Sequence, residues 1–225
     1  MTTPTSTRDR LVGEAMRLFS AKGFDATSVS QIEAAAGLAA GSGALYHHFK
    51  SKEELFRAVI ERLYENALAT EIAAANAAEK AGGSLADILV AQLGWRLRLA
   101  ITSLDGSPHI EELFSEHLVQ GRDLYQKYAG LYDAQVVATI ERVCRKQRLV
   151  LAQGMTSRDF SRCIVMAING AKSAYPAMQP ADAFLNDLEI MMRTLVAGAV
   201  GAPKPRPIKP QPAKKSARTK PGDRK

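Results

Sequence analysis

Helix-start and helix-stop residues crowd into the first fifty-five positions of the chain, leaving room only for short helices packed on one another. Leu11, Ala15, Leu18 and Phe19 recur at helical spacing, and Gly23 stands where a helix ends. This predicts a first helix over 7–22. Ser28 followed by Gln31 is a capping box, with Val29, Ile32 and Ala36 on one face and Gly37 as the stop, which predicts a second helix over 29–36. Leu45 and Phe49 form the apolar side of a third, over 42–48, whose other side shows Tyr46, His47 and Lys50. Ser51 with Glu54 opens a long helix through Leu55, Val59 and Leu63 toward Ala78.

Helical period continues to about residue 200. Leu85, Ile88, Leu89 and Leu93 follow a Ser84 cap, and the helix is expected to reach about Leu104, where "DGSPH" breaks it. A short helix over 110–118 and a long one over 121–148 come next. Thr156 or Ser157 caps another, with Phe160, Ile164, Ala167, Ile168 and Ala171 on one face. Pro180 starts the last. There Phe184, Leu188, Met191 and Leu195 make one apolar face and Leu185, Met192 and Val196 a second, so this helix is buried on two sides, in a core or against a partner. The fold class is all-α.

At 225 residues the chain is long enough for one large or two small domains. No apolar run is long enough for a membrane span, and no basic-then-apolar leader opens the sequence, so no membrane partner and a cytoplasmic location are expected. Cys144 and Cys163 form no metal or redox spacing and are expected to be reduced packing residues. The net charge of +7 is unevenly spread. Residues 202–225 hold nine Lys and Arg against Asp223, a net +8, which leaves −1 for the rest. This Pro- and Lys-rich tail has almost nothing apolar to bury and is expected to be disordered.

A short helix pair joined by a glycine-containing turn, inside three helices over about fifty residues, has the spacing of a helix-turn-helix unit. The stretch "AMRLFSAKGFDATSVSQIEAAAG", then "GALYHHFKSKEEL", resembles the DNA-binding domain of TetR-family (tetracycline-repressor-like) transcriptional regulators over about Arg8 to Leu63. One departure stands out. The common form runs Gly-Val-Ser-x-Gly-x-Leu-Tyr, whereas Gly37 to Tyr46 reads "GLAAGSGALY", two residues longer. The resemblance implies a helix-turn-helix domain over 8–54 and a larger helical domain for ligand binding and dimerisation over 55–201, with the tail set apart by its composition over 202–225. It further implies a ligand-responsive repressor that binds a palindromic DNA operator as a homodimer and answers to a small-molecule effector. An architectural or non-specific nucleic-acid binder driven by the basic tail is the rival reading.

The DNA-contacting residues that the resemblance and helix physics suggest are Thr27, Ser28, Ser42, Gly43, Ala44, Tyr46, His47 and Lys52. Small residues before Leu45 allow close approach to a groove, Tyr46 is expected on phosphates, and Ser42, Ala44 and His47 on base edges. Lys52 in the first turn of a helix is a dipole misfit that a phosphate would relieve. Ser28 is alternatively only a cap, and His48, beside Phe49, is read as a packed or capping residue in preference to a DNA contact. Trp95, Phe114, Tyr125, Tyr128, Tyr132, Met166 and Tyr175 offer enough aromatic and soft surface to line an apolar ligand cavity, although aromatics at helical spacing are more often core. His109 and His117 near Glu111, Glu112 and Glu116 make a weak metal pattern, and no metal is assigned. No nucleophile elbow, Walker loop, zincin or dinucleotide motif occurs, so neither catalysis nor a cofactor is expected.

Overall fold

Ser6, Ser28 and Ser51 each turn extended chain into a helix by accepting a hydrogen bond from the amide three residues on, that of Asp9, Gln31 or Glu54. The computed structural model describes residues 6–94, 122–174 and 181–201. Helix α1 spans Thr7–Lys22 and ends at Gly23, whose φ of 83° breaks it. Helix α2 spans Val29–Ala35 behind a complete Ser28/Gln31 capping box. The expected third helix over 42–48 is instead a single 3-10 turn, Ala44–His47. Gly41 and Gly43 both sit near φ 71°, a left-handed conformation that an α-helix cannot include, so helical geometry begins only at Ala44. Helix α3 then runs without a break over Lys52–Lys80.

Residues 85–94 form α4, followed by α5 (Arg122–Gln147), α6 (Ser157–Ala174) and α7 (Ala181–Ala199). A two-residue ladder pairs β1 (Val150–Leu151) with β2 (Val200–Gly201), antiparallel, and pins the end of α7 to the turn between α5 and α6. Among the described residues the fold is all-helical apart from this clasp. The expected helix over 110–118, the 95–104 part of the fourth-helix reading, Pro180 and the tail over 202–225 lie outside the described residues.

Two cores divide the molecule. The first joins Leu11, Ala15 and Phe19 of α1 to Ile32, Leu45 and Phe49 and to Leu55, Phe56, Val59 and Ile60 of α3. It therefore extends past residue 54, and the division between the units falls inside one continuous helix. The second joins α4 through α7, with Ile88, Ile140, Phe160, Ile164, Phe184, Leu188 and Met192 all buried. Leu185, Met191 and Leu195 are half-buried against the same core, so both apolar faces of α7 are used within the chain. Cys144 is half-buried and free. Cys163 is also free but exposed, not the packing residue expected from sequence.

The start of α4 is tied to α7. Ser84 and Asp87 cap reciprocally, and Arg193 donates to Asp87 at 2.7 Å. The Ser84 hydroxyl, then Arg193 and the Ser84 amide, hold the Asp87 carboxyl at about 2 against an ordinary 3.8. A depressed folded value stabilises above the ordinary pKa, and the gain is lost as pH falls toward 2. Because water screens this exposed pair, Asp87→Asn is expected to cost up to about 1 kcal/mol at neutral pH. Urea midpoints of the two proteins should converge as pH falls from 4 toward 2.

Candidate nucleic-acid interface

The 3-10 turn owes its position to what lies beneath it. Leu45 and Phe49 are buried at 0% and 2% exposure, which forces Tyr46, at 57%, and His47 outward. Ser42 is also exposed, and its hydroxyl accepts from the Ala44 amide at 3.3 Å. Gly43 and Ala44 are half-buried beside them. Ser42, Gly43, Ala44, Tyr46 and His47 thus form one outward ridge. Ser28 is exposed at the start of α2, where its hydroxyl and amide are engaged in the capping box. His48 is exposed and caps the turn, its amide donating to the Leu45 carbonyl at 2.9 Å, so capping rather than packing is its role there.

Two expected contacts turn inward. Thr27 is wholly buried, and its hydroxyl donates to the Gly23 carbonyl at 2.8 Å, so its side chain closes the α1–α2 turn rather than facing outward. Lys52 folds back over the Phe24 ring at 4.2 Å and donates from Nζ to the Phe24 carbonyl at 2.5 Å. Burial pushes its ammonium below the ordinary value, opposed by Asp25 and Glu53. The helix-start misfit is relieved by this carbonyl and ring, with no phosphate required.

The residue that sequence reasoning missed is Glu33. It is wholly buried, and its Oε1 accepts from the Leu45 amide at 2.9 Å, holding the 3-10 turn against α2 across the long "GLAAGSG" connection. The available signal was a charge at helical spacing within the apolar stripe of Val29, Ile32 and Ala36. Glu33→Leu leaves the Leu45 N–H buried without this acceptor and is expected to cost about 1–3 kcal/mol. Glu33→Gln keeps an acceptor oxygen and should cost less, as denaturant unfolding of both variants would show.

The helix-turn-helix is bolted to the body through α3 and α5. Arg57 makes a bidentate pair with Asp123 at 2.6 and 3.1 Å, and Lys127 pairs with Glu61 at 2.7 Å. Tyr128 stacks on Tyr64 with ring centres 4.8 Å apart, and the Tyr132 hydroxyl donates to the Tyr64 carbonyl. Leu124, Tyr128 and Tyr132 are counted in the N-terminal core.

That packing corrects part of the expected ligand set. Tyr128 and Tyr132 are junction residues, while Tyr125 and Met166 face outward at 47% and 72% exposure. Trp95, Phe114 and Tyr175 lie outside the described residues, as do His109 and His117. One open cleft of about 370 Å³ is lined by Asn76, Glu79, Lys80, Arg142 and Lys146, polar groups rather than aromatics. Among the described residues no cluster of His, Cys, Asp and Glu is suited to a metal, and no helix is long and apolar enough to cross a membrane.

Residues 11–59 match the model of the bacterial regulatory proteins of the tetR family. Over these residues the chain is similar to that family. Its tetR-type domain is 46% identical over 57 residues to the HTH-type transcriptional repressor KstR2 of Mycolicibacterium smegmatis, covering 25% of this chain and 27% of that protein. The chain thus spans about a quarter of the length of the curated relatives it matches. Beyond the tetR-type domain the likeness is one of fold. GusR of Salmonella enterica superposes with a TM-score of 0.58 at 25% identity, covering 88% of this chain and 98% of that one. A transcriptional regulator from Rhodococcus sp. Rha1 does so with a TM-score of 0.60 at 19% identity, covering 86% and 98%.

Proposed function

We propose that the protein is a DNA-binding transcriptional regulator, a repressor that binds a palindromic operator as a homodimer and releases it when a small molecule binds the helical body. The observation that carries this reading is the outward ridge of Ser42, Tyr46 and His47 on a turn locked from below by Leu45, Phe49 and Glu33. Tyr46 positions the turn on phosphates, and Ser42, Ala44 and His47 read base edges. Exposed Val165 and Met166 on α6 and Ile190 on α7 support a homodimer through these two helices. Two ridges about 34–36 Å apart would meet successive major grooves. The basic tail adds general phosphate affinity without sequence choice.

Coupling runs through α3, which belongs to both cores, and through the Arg57–Asp123 and Lys127–Glu61 pairs. A ligand that favours another placement of α5 against α3 changes the separation of the ridges and weakens DNA binding. Titration of purified variants against a selected duplex and a scrambled one tests the ridge. Tyr46→Ala should weaken both complexes alike, and His47→Ala should lower discrimination at particular base pairs by about 1–3 kcal/mol. Unchanged binding by both folded variants would contradict the assignment.

A further inference from the structure

Two side chains inside the helical body are buried without a hydrogen-bond partner among the described residues. Gln92 of α4 is wholly buried with both its amide nitrogen and its amide oxygen unsatisfied, and Thr139 of α5 is wholly buried with an unsatisfied hydroxyl. Each interrupts an apolar stripe, Leu85, Ile88, Leu89 and Leu93 in α4 and Val136, Ile140 and Val143 in α5. Leaving such groups unpaired is costly, and folded proteins contain few of them. Neither contributes to the helix-turn-helix or to its junction.

Helix register sets them at matching distances from one shared contact. Gln147 of α5 donates to the Gly83 carbonyl beside the start of α4 at 2.8 Å. Gln92 lies nine residues after Gly83 and Thr139 eight before Gln147, so both stand about 12–14 Å from that contact along helices that share one core. On α3, Glu79 pairs with Arg142 and Lys146 beside the same end, and the wholly buried Glu71 lies eight residues before it. Gln92, Thr139 and Glu71 therefore lie at similar helical distances from that end, each on a helix that contributes to the core of Ala75, Leu89, Leu93, Val136 and Ile140.

We propose that Gln92 and Thr139 are the hydrogen-bonding end of the effector site, and that the effector is an uncharged small molecule carrying an alcohol or carboxamide on an apolar body. This rests on reading the chain as a ligand-responsive regulator. An amide and a hydroxyl each donate and accept, so their best complement does both. A carboxylate only accepts and an ammonium only donates, and either brings a charge into apolar surroundings. Apolar side chains on α4 and α5 receive the remainder of the molecule, which then touches the helices that set the position of α3.

Thr139→Val and Gln92→Leu, singly and together, test this, because both conserve volume while removing the polar groups. Without ligand, each variant should melt above wild type. A panel of small alcohols and primary amides led by cyclohexanol and benzamide, each paired with its hydrocarbon counterpart methylcyclohexane or toluene, is followed by ligand-observed NMR. Polar members should bind the double variant at least tenfold more weakly than wild type, and the hydrocarbons should bind both alike. Variants that melt below wild type would show that the two groups already have partners and overturn the proposal. So would a panel in which no polar member binds wild type, or in which binding survives both substitutions. Selection of DNA by the unliganded variants should match wild type. A wild-type protein that selects no DNA would instead contradict the regulator reading, with the ligand result standing separately.

Discussion

Replacing Phe56 with alanine is expected to unfold the helix-turn-helix while the helical body stays folded. Phe56 is 1% exposed and stands edge-on to Phe24 at 5.0 Å and Phe19 at 5.8 Å, joining α3 to α1 and to the turn before α2. Its loss leaves a cavity that this small core cannot refill, at a cost of about 3–5 kcal/mol, comparable to the whole stability of a small domain. Phe24 would also lose a neighbour while still holding Lys52, which loosens the start of α3. Circular dichroism should show an early transition absent from wild type, followed by a second at nearly the wild-type temperature, and DNA binding should vanish. A single shared transition would mean that the two cores unfold as one.

The second large effect is expected at Leu188. It is 4% exposed within the core formed by α4 to α7, and Leu188→Glu places a carboxylate there without a partner. The cost is several kcal/mol if the charge stays buried, about that of breaking a buried ion pair by removing one side. Because Leu188 lies in the core of the chain itself, the variant should lose helicity as well as any association. Ile190→Glu is the control on the outer face of α7, where the native side chain is 54% exposed. It should leave helicity intact and convert the proposed dimer to monomer, as sedimentation would show.

The first two helices were legible because their caps and stripes are local devices. Ser28 and Gln31 form the box that their spacing implies, and Gly23 ends α1. The third helix was misread because apolar spacing at Leu45 and Phe49 is shared by α and 3-10 geometry, while the positive φ at Gly41 and Gly43 decides between them. Lys52 was misplaced for a different reason. Its carbonyl partner, at Phe24, is 28 residues away, and no local pattern reveals it. Two members of the aromatic ligand set are joint residues instead, because helical spacing does not distinguish a cavity from a joint. Tyr128 and Tyr132 meet Tyr64 across more than sixty residues of sequence. Gln92 and Thr139 escaped notice because one polar residue in an apolar stripe gains meaning only once its burial and missing partners are visible.

The ridge from Ser42 to His47 is proposed to read DNA as one of a symmetric pair. Genomic fragments bound by the purified full-length chain, sequenced after selection, test it most directly. An inverted repeat whose half-site centres lie about one helical turn apart should be enriched, with preferences at particular positions relaxed by His47→Ala. Fragments with no common motif, or the same motif enriched equally by the Tyr46→Ala, His47→Ala double variant, would contradict it.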